Sequence, residues 1–153
     1  MMATGAQYLH DNFTKNSSLP ESFTTKTDLE KMKNYIVKEL LPLKKDLGLP
    51  IVYGSSNIID LMKTIGLKLD PHEKSKSHPY KTYARHLETF IQKMLPLNYD
   101  QRESLFPFQK GYMWGVDKAF LNITTISDHI RSPYIIPSNA NIAQGFIYSM
   151  ASK

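Results

Sequence analysis

No cysteine occurs among the 153 residues. That absence removes disulfide scaffolds, thiolate metal sites and thiol catalysis together. Glycine is scarce, seven in all, and no spacing resembles G-x-x-x-x-G-K-[ST] or G-x-G-x-x-G, so familiar phosphate-cradling loops are unsupported. His10, His72, His78, His86 and His129 never stand at i,i+4 of one another, and H-E-x-x-H is missing, so no metal is expected and no cofactor is indicated. No G-x-S-x-G elbow offers a serine nucleophile, so no catalytic residue can be named. No run approaches the roughly 18 consecutive apolar residues of a membrane-spanning helix. The first residues lack a basic stretch followed by an apolar one, which argues against a secretory signal. Together these absences lead to the expectation of a cytoplasmic protein, with export by a signal-less route left open.

What is present is enough for one compact domain. The chain is 41% hydrophobic, and a domain of this size buries roughly 70% of the surface its unfolded chain exposes. Nineteen Lys+Arg stand against fourteen Asp+Glu, a formal +5, which favours acidic partners without declaring a nucleic-acid protein.

Residues 1–26 are rich in Ser, Thr and Asn, with Leu9, Phe13, Leu19 and Phe23 joined by no period, and read as a poorly ordered arm. The single domain, 27–153, opens on Thr27-Asp28-Leu29-Glu30, a capping box. Leu29, Met32, Ile36, Leu40, Leu43 and Leu47 follow as one apolar stripe, which Pro42 must kink or end. A second helix is expected over about 57–65, capped by Ser55 or Ser56. The strongest opens at His78-Pro79 and carries Tyr80, Tyr83, Leu87, Phe90, Ile91 and Met94. Another runs from about Gly111 to the residues before Pro133, and a last one carries Ile142, Phe146, Ile147 and Met150. Two short apolar runs bounded by breakers, 51–53 and 134–136, could pair as strands. The fold class that follows is all-α: a small bundle of four to five amphipathic helices, with at most that one minor pairing.

Two surfaces stand out. Lys74-Ser75-Lys76-Ser77-His78-Pro79-Tyr80-Lys81-Thr82-Tyr83-Ala84-Arg85 holds Lys74, Lys76, Lys81 and Arg85 with no acid among them. Lysines before a helix can hold phosphates and tyrosines can stack on bases, although a solvated basic face explains the same pattern. Phe106-Pro107-Phe108 precedes Gly111-Tyr112-Met113-Trp114-Gly115, the latter holding the one tryptophan. Large aromatics commonly serve as core, but glycines beside them also let a partner backbone approach. Phe106, Phe108, Tyr112 and Trp114 are therefore candidate partner-binding residues.

The function expected from this pattern is a non-enzymatic protein–protein interaction module, an adaptor offering an aromatic groove to a protein partner. The alternative is a small basic nucleic-acid binder using the 74–86 stretch, or one that meets an acidic surface. A small hydrolase or transferase would need His86, Glu88, Asp128 and His129 to meet, and no spacing brings them together.

Overall fold

A computed structural model describes residues 4–14, 24–72 and 78–140. The expected last helix, from 141 onward, and the candidates Lys74 and Lys76 lie outside the described residues.

Helix α1, Ala6–Phe13, falls within the stretch expected to be an arm. Leu9 and Phe13 stand four apart and therefore share a face, and Leu9 is fully buried against the core. Asn122 ties down the chain two residues before the helix, its Nδ2 donating to the carbonyl and hydroxyl of Thr4 at 3.2 Å each. Two apolar side chains make too short a period to register in sequence, yet they suffice once a core exists to receive them.

Helix α2, Lys26–Leu40, carries the expected stripe in Leu29, Met32, Ile36 and Leu40. Its cap is Thr25 rather than Thr27. The Thr25 hydroxyl accepts from the Asp28 amide at 3.1 Å, and Asp28 Oδ2 accepts from the Thr25 amide at 3.0 Å. Pro42 stops the helix, so Leu43 and Leu47 continue the stripe in sequence but lie exposed in space.

Strand β1, Ile51–Gly54, follows, then α3, Ile58–Thr64, and the two-residue strand β2, Asp70–Pro71. Strand β3, Tyr80–Lys81, pairs antiparallel with β2. Those residues were expected to be helical, but α4 begins later, at Ala84, and runs to Met94. Thr82 explains the delay. Its backbone exchanges two 2.8 Å hydrogen bonds with Ile135, and its hydroxyl donates to the Lys68 carbonyl at 2.9 Å. Helix α5, Tyr99–Glu103, and a 3-10 turn, Tyr112–Gly115, lead into α6, Val116–Ile130. The Thr-Thr pair lies inside α6, and both hydroxyls are satisfied within the helix by donating back to the Leu121 carbonyl, at 3.1 and 2.7 Å.

Strand β4, Ile135–Ser138, pairs in parallel with β1: Ile51 faces Ile135, Val52 faces Ile136, Tyr53 faces Pro137 and Gly54 faces Ser138. Every residue of β4 is buried, and its Ile135 bridges to Thr82 on the other side. This is where the all-α expectation fails. The short β-branched runs are not a minor appendage, because β4 is buried along its whole length between β1, β3 and α3, while α6 packs against α2 and α4. The architecture is mixed α/β, with parallel and antiparallel pairs. Periodicity favoured helices because strands of two to four residues leave almost no alternation to detect.

Candidate functional site

Parallel strands point their carboxyl ends the same way, and ligands of α/β sheets gather in the crevice beyond those ends. Here the ends of β1 and β4 meet at Gly54-Ser55-Ser56-Asn57 and Ser138-Asn139-Ala140. Ser55 N donates to the Ser138 carbonyl at 3.1 Å, and Ile59 N to Asn139 Oδ1 at 3.0 Å. The contact is close: a Cβ placed on Gly54 would stand 3.0 Å from the Ala140 carbonyl oxygen. Asn57 turns the chain with φ of 60°, a left-handed conformation that asparagine tolerates better than most residues.

The turn before α6 leans on this loop. Tyr112 Oη donates to the Ser56 carbonyl at 2.8 Å and lies 3.3 Å from Ser55 Oγ. Asn57 Nδ2 donates to Gln109 Oε1 at 3.3 Å. Gly111, left-handed at φ 78°, lets the chain reverse there, and its amide donates to the Glu103 carboxylate. Beneath Tyr112 lies a cleft of about 170 Å³ reached by Tyr53, Ser55, Leu61 and Phe120. Burial, with Tyr112 close by, pushes the Tyr53 phenol up to about 12. Among the described residues no hydrogen bond engages the Ser56 or Asn57 amide or the Ser56 hydroxyl. The loop thus presents neutral donors to the outside, and burial favours the neutral phenol of Tyr53 just before it.

A buried ionic group anchors the turn from behind. Asp117 Oδ2 lies 3.0 Å from Arg102 Nη1, and Asp117 Oδ1 lies 3.0 Å from Lys118 Nζ. Lys118 Nζ also donates to the Trp114 carbonyl at 3.3 Å. Burial lowers the Lys118 pKa, while Asp117 and Asp28 oppose the shift. Arg102, Asp117 and Lys118 are all buried, two cations on one shared carboxylate, and the group reads as a structural brace.

The sequence candidates fall into separate places. Phe106 is 3% exposed and belongs to the core, whereas Phe108 beside it is 80% exposed. Tyr112 is half-buried at the loop. Trp114 is half-buried too, its ring 4.6 Å from that of His10 and 5.2 Å from Lys118 Nζ. Lys81 Nζ stands 5.3 Å from the Tyr134 ring and Arg85 is 4.7 Å from that of Tyr83, each over an aromatic face, with Lys81 half-buried and Arg85 exposed. His86, Asp128 and His129 have different partners: Thr82, Lys33 and the Leu43 carbonyl respectively. Among the described residues no three acidic or histidine side chains gather to hold a metal ion. None of their helices is long and apolar enough to cross a membrane. A groove of about 360 Å³ between α2, α4 and α6 has Leu29, Ile91 and Leu121 in its lining and Lys33 and Glu88 among its charged groups. Sequence reasoning missed Ser55, Ser56, Asn57 and Asn139 as a site. A glycine followed by three small polar residues, directly after a β-prone run, was the available signal, and it also reads as a helix cap.

No protein-family model matches the chain, and no curated protein matches it in sequence. Two solved structures match in fold. One is the Aquifex aeolicus member of the Ppx/GppA protein family, with TM-score 0.75 and 15% identity, covering 97% of this chain and 46% of that one. The other is the type II variant of the Aquifex aeolicus Ppx/GppA phosphatase, with TM-score 0.72 and 17% identity, covering 97% of this chain and 47% of that one. This chain therefore spans less than half the length of each. The likeness is one of fold, and it overturns the expected all-α bundle in favour of an α/β architecture. It also overturns the reading as a non-enzymatic adaptor, with its nucleic-acid-binding alternative, because the fold is the one that phosphatases of this group carry.

Proposed function

We propose that this chain is the phosphate-holding part of a Ppx/GppA-like phosphatase, and that the loop Gly54–Asn57 receives the phosphoryl group. The observation that carries the reading is the fold likeness over 97% of the chain to a structure described as a phosphatase. The loop supports it independently, since it lies at the carboxyl ends of paired parallel strands and offers uncommitted N–H and O–H donors.

Hydrolysis of a phosphate ester replaces the bond from phosphorus to the leaving oxygen with one to water, and the leaving oxygen ends with a proton. Charge on the phosphoryl oxygens is stabilised by donors fixed in advance. The Ser56 hydroxyl and the Ser56 and Asn57 amides are suited to that task, and the Ser55 hydroxyl joins them by giving up its 3.3 Å contact with Tyr112. Taking the proton from the attacking water calls for a base, and among the described residues no carboxylate or histidine is hydrogen-bonded to residues 54–57. The role assigned to this chain is therefore binding and orientation.

Calorimetric titration with inorganic phosphate tests the reading. Saturable binding that weakens about tenfold when Ser55 and Ser56 are both changed to Ala is expected, matching the loss of hydrogen bonds to a charged group. Binding unaffected by the double change would refute it.

A further inference from the structure

Among the described residues strand β1 has a neighbour on one side. Ile51 N donates to the Tyr134 carbonyl at 3.2 Å and Ser55 N to the Ser138 carbonyl at 3.1 Å, so residues 51, 53 and 55 direct their backbone groups toward β4. Strand alternation then turns the N–H and C=O groups of Val52 and Gly54 the opposite way. Among the described residues no strand or backbone hydrogen bond meets them there. By contrast, β4 is engaged on both flanks, by β1 and by Thr82.

Such an end is unusual. Parallel pairs ordinarily sit inside larger covered sheets, and isolated pairs are marginal. Proteins blunt exposed edges with charge or proline; Leu49-Pro50-Ile51-Val52-Tyr53-Gly54 holds no charge, and its proline stands before the strand, leaving the Val52 and Gly54 amides as donors. Val52 is 57% and Leu49 56% exposed, and Leu41, Leu43 and Leu47 in the approach to the strand are also exposed. The two matching solved chains contain more than half their length beyond what this chain covers.

We propose that the open edge of β1 accepts an extended, uncharged strand from the complementary part of a Ppx/GppA-like phosphatase. Val52 and Gly54 form the added hydrogen bonds, and Val52 packs against the newcomer's apolar side chains. The addition brings new residues beside the loop that opens at Gly54. This inference rests on the strand edge and the fold, and it holds or fails apart from phosphate binding.

Amide hydrogen exchange on the whole chain tests it, with an uncharged hexapeptide alternating threonine and valine as the probe. In dilute protein the Val52 and Gly54 amides exchange freely, while Tyr53 and Ser55 exchange at least about 100-fold more slowly. Millimolar peptide then slows Val52 and Gly54 about tenfold, the shift expected for new ladder bonds. Val52→Pro removes the outward donor alone, keeps Tyr53 protected and abolishes the slowing at Gly54. Should Val52→Pro fail to fold, Val52→Lys puts on the edge a charge that pairing with an uncharged strand would desolvate, and serves the same end. Slow exchange at Val52 and Gly54 in dilute protein, no response to peptide, or a response that survives both changes would overturn the proposal. Protection that grows with protein concentration alone would make the occupant a second copy, and would overturn it equally.

Discussion

The Tyr112 hydroxyl donates a 2.8 Å hydrogen bond to the Ser56 carbonyl, joining the turn before α6 to the loop after β1 across 56 positions of sequence. The contact sets the loop's outline at the point where the phosphoryl group is proposed to bind. Tyr112→Phe removes it without changing the ring. A loss of about 1 kcal/mol in denaturant unfolding is expected, the ordinary worth of one such bond, together with faster amide exchange at Ser56 and Asn57.

Gly54 is required for a different reason. Any Cβ there meets the Ala140 carbonyl oxygen at 3.0 Å, and a backbone atom cannot swing aside as a side-chain end can. Gly54→Ala is expected to part the ends of β1 and β4, costing about 1–3 kcal/mol as an overpacking change does. Thermal unfolding measures the cost, and phosphate titration of the same variant measures its effect on the site.

Much of the helical framework was legible in sequence. Leu29, Met32, Ile36 and Leu40 announce the buried face of α2, and Leu87, Phe90, Ile91 and Met94 that of α4. Pairing between the two breaker-bounded runs could also be named, because Pro50 and Pro137 frame residues with little else to do. What sequence did not disclose is the importance of that pairing. Thr82 looks like one polar residue of a basic stretch until its backbone meets Ile135, 53 positions later. The loop at Ser55 and Ser56 was read as a helix cap, yet Asn57 stands at the cap position and makes no capping bond. Site geometry of this kind depends on long-range contacts with Tyr112 and Asn139, which no local pattern reports.

Phe106 and Phe108 illustrate the same point and give a paired prediction. Phe106 is buried and touches both Phe108 and Tyr112, with ring centroids 5.7 and 5.4 Å away. Phe106→Ala should cost about 3–5 kcal/mol through the cavity it leaves. Phe108→Ser, at an exposed position, should stay within about 0.5 kcal/mol of the parent chain. Equal losses from the two would contradict the burial described here.

The buried brace predicts an asymmetry. Asp117→Asn leaves Arg102 and Lys118 buried without their shared carboxylate, and breaking a buried pair in this way costs about 3–5 kcal/mol. Lys118→Met removes instead a group whose charged form is already disfavoured by burial, so its cost should be smaller. Denaturant unfolding at neutral pH compares the two.

Tyr53 imposes a dependence on alkaline pH. Its pKa rises from 10.0 to about 12 through burial and the neighbouring Tyr112, so between those values the folded chain binds more protons than the unfolded one. Stability from this group is intact below pH 10 and falls as pH rises toward 12, by on the order of 2 kcal/mol. Lys118 acts in the opposite sense, because a lowered pKa makes stability rise with pH up to its ordinary value of 10.5. Comparing the parent chain with Tyr53→Phe isolates the tyrosine, and the variant should lose less stability over that window.

The central claim is that the loop from Gly54 to Asn57 receives a phosphoryl group, and amide resonances report it directly. On titration with inorganic phosphate, the Ser56 and Asn57 signals should shift saturably, those of Lys81 and Arg85 should stay in place, and the response should vanish in the Ser55→Ala, Ser56→Ala double variant. Shifts confined to Lys81 and Arg85, or none at the loop at saturating phosphate, would contradict the account.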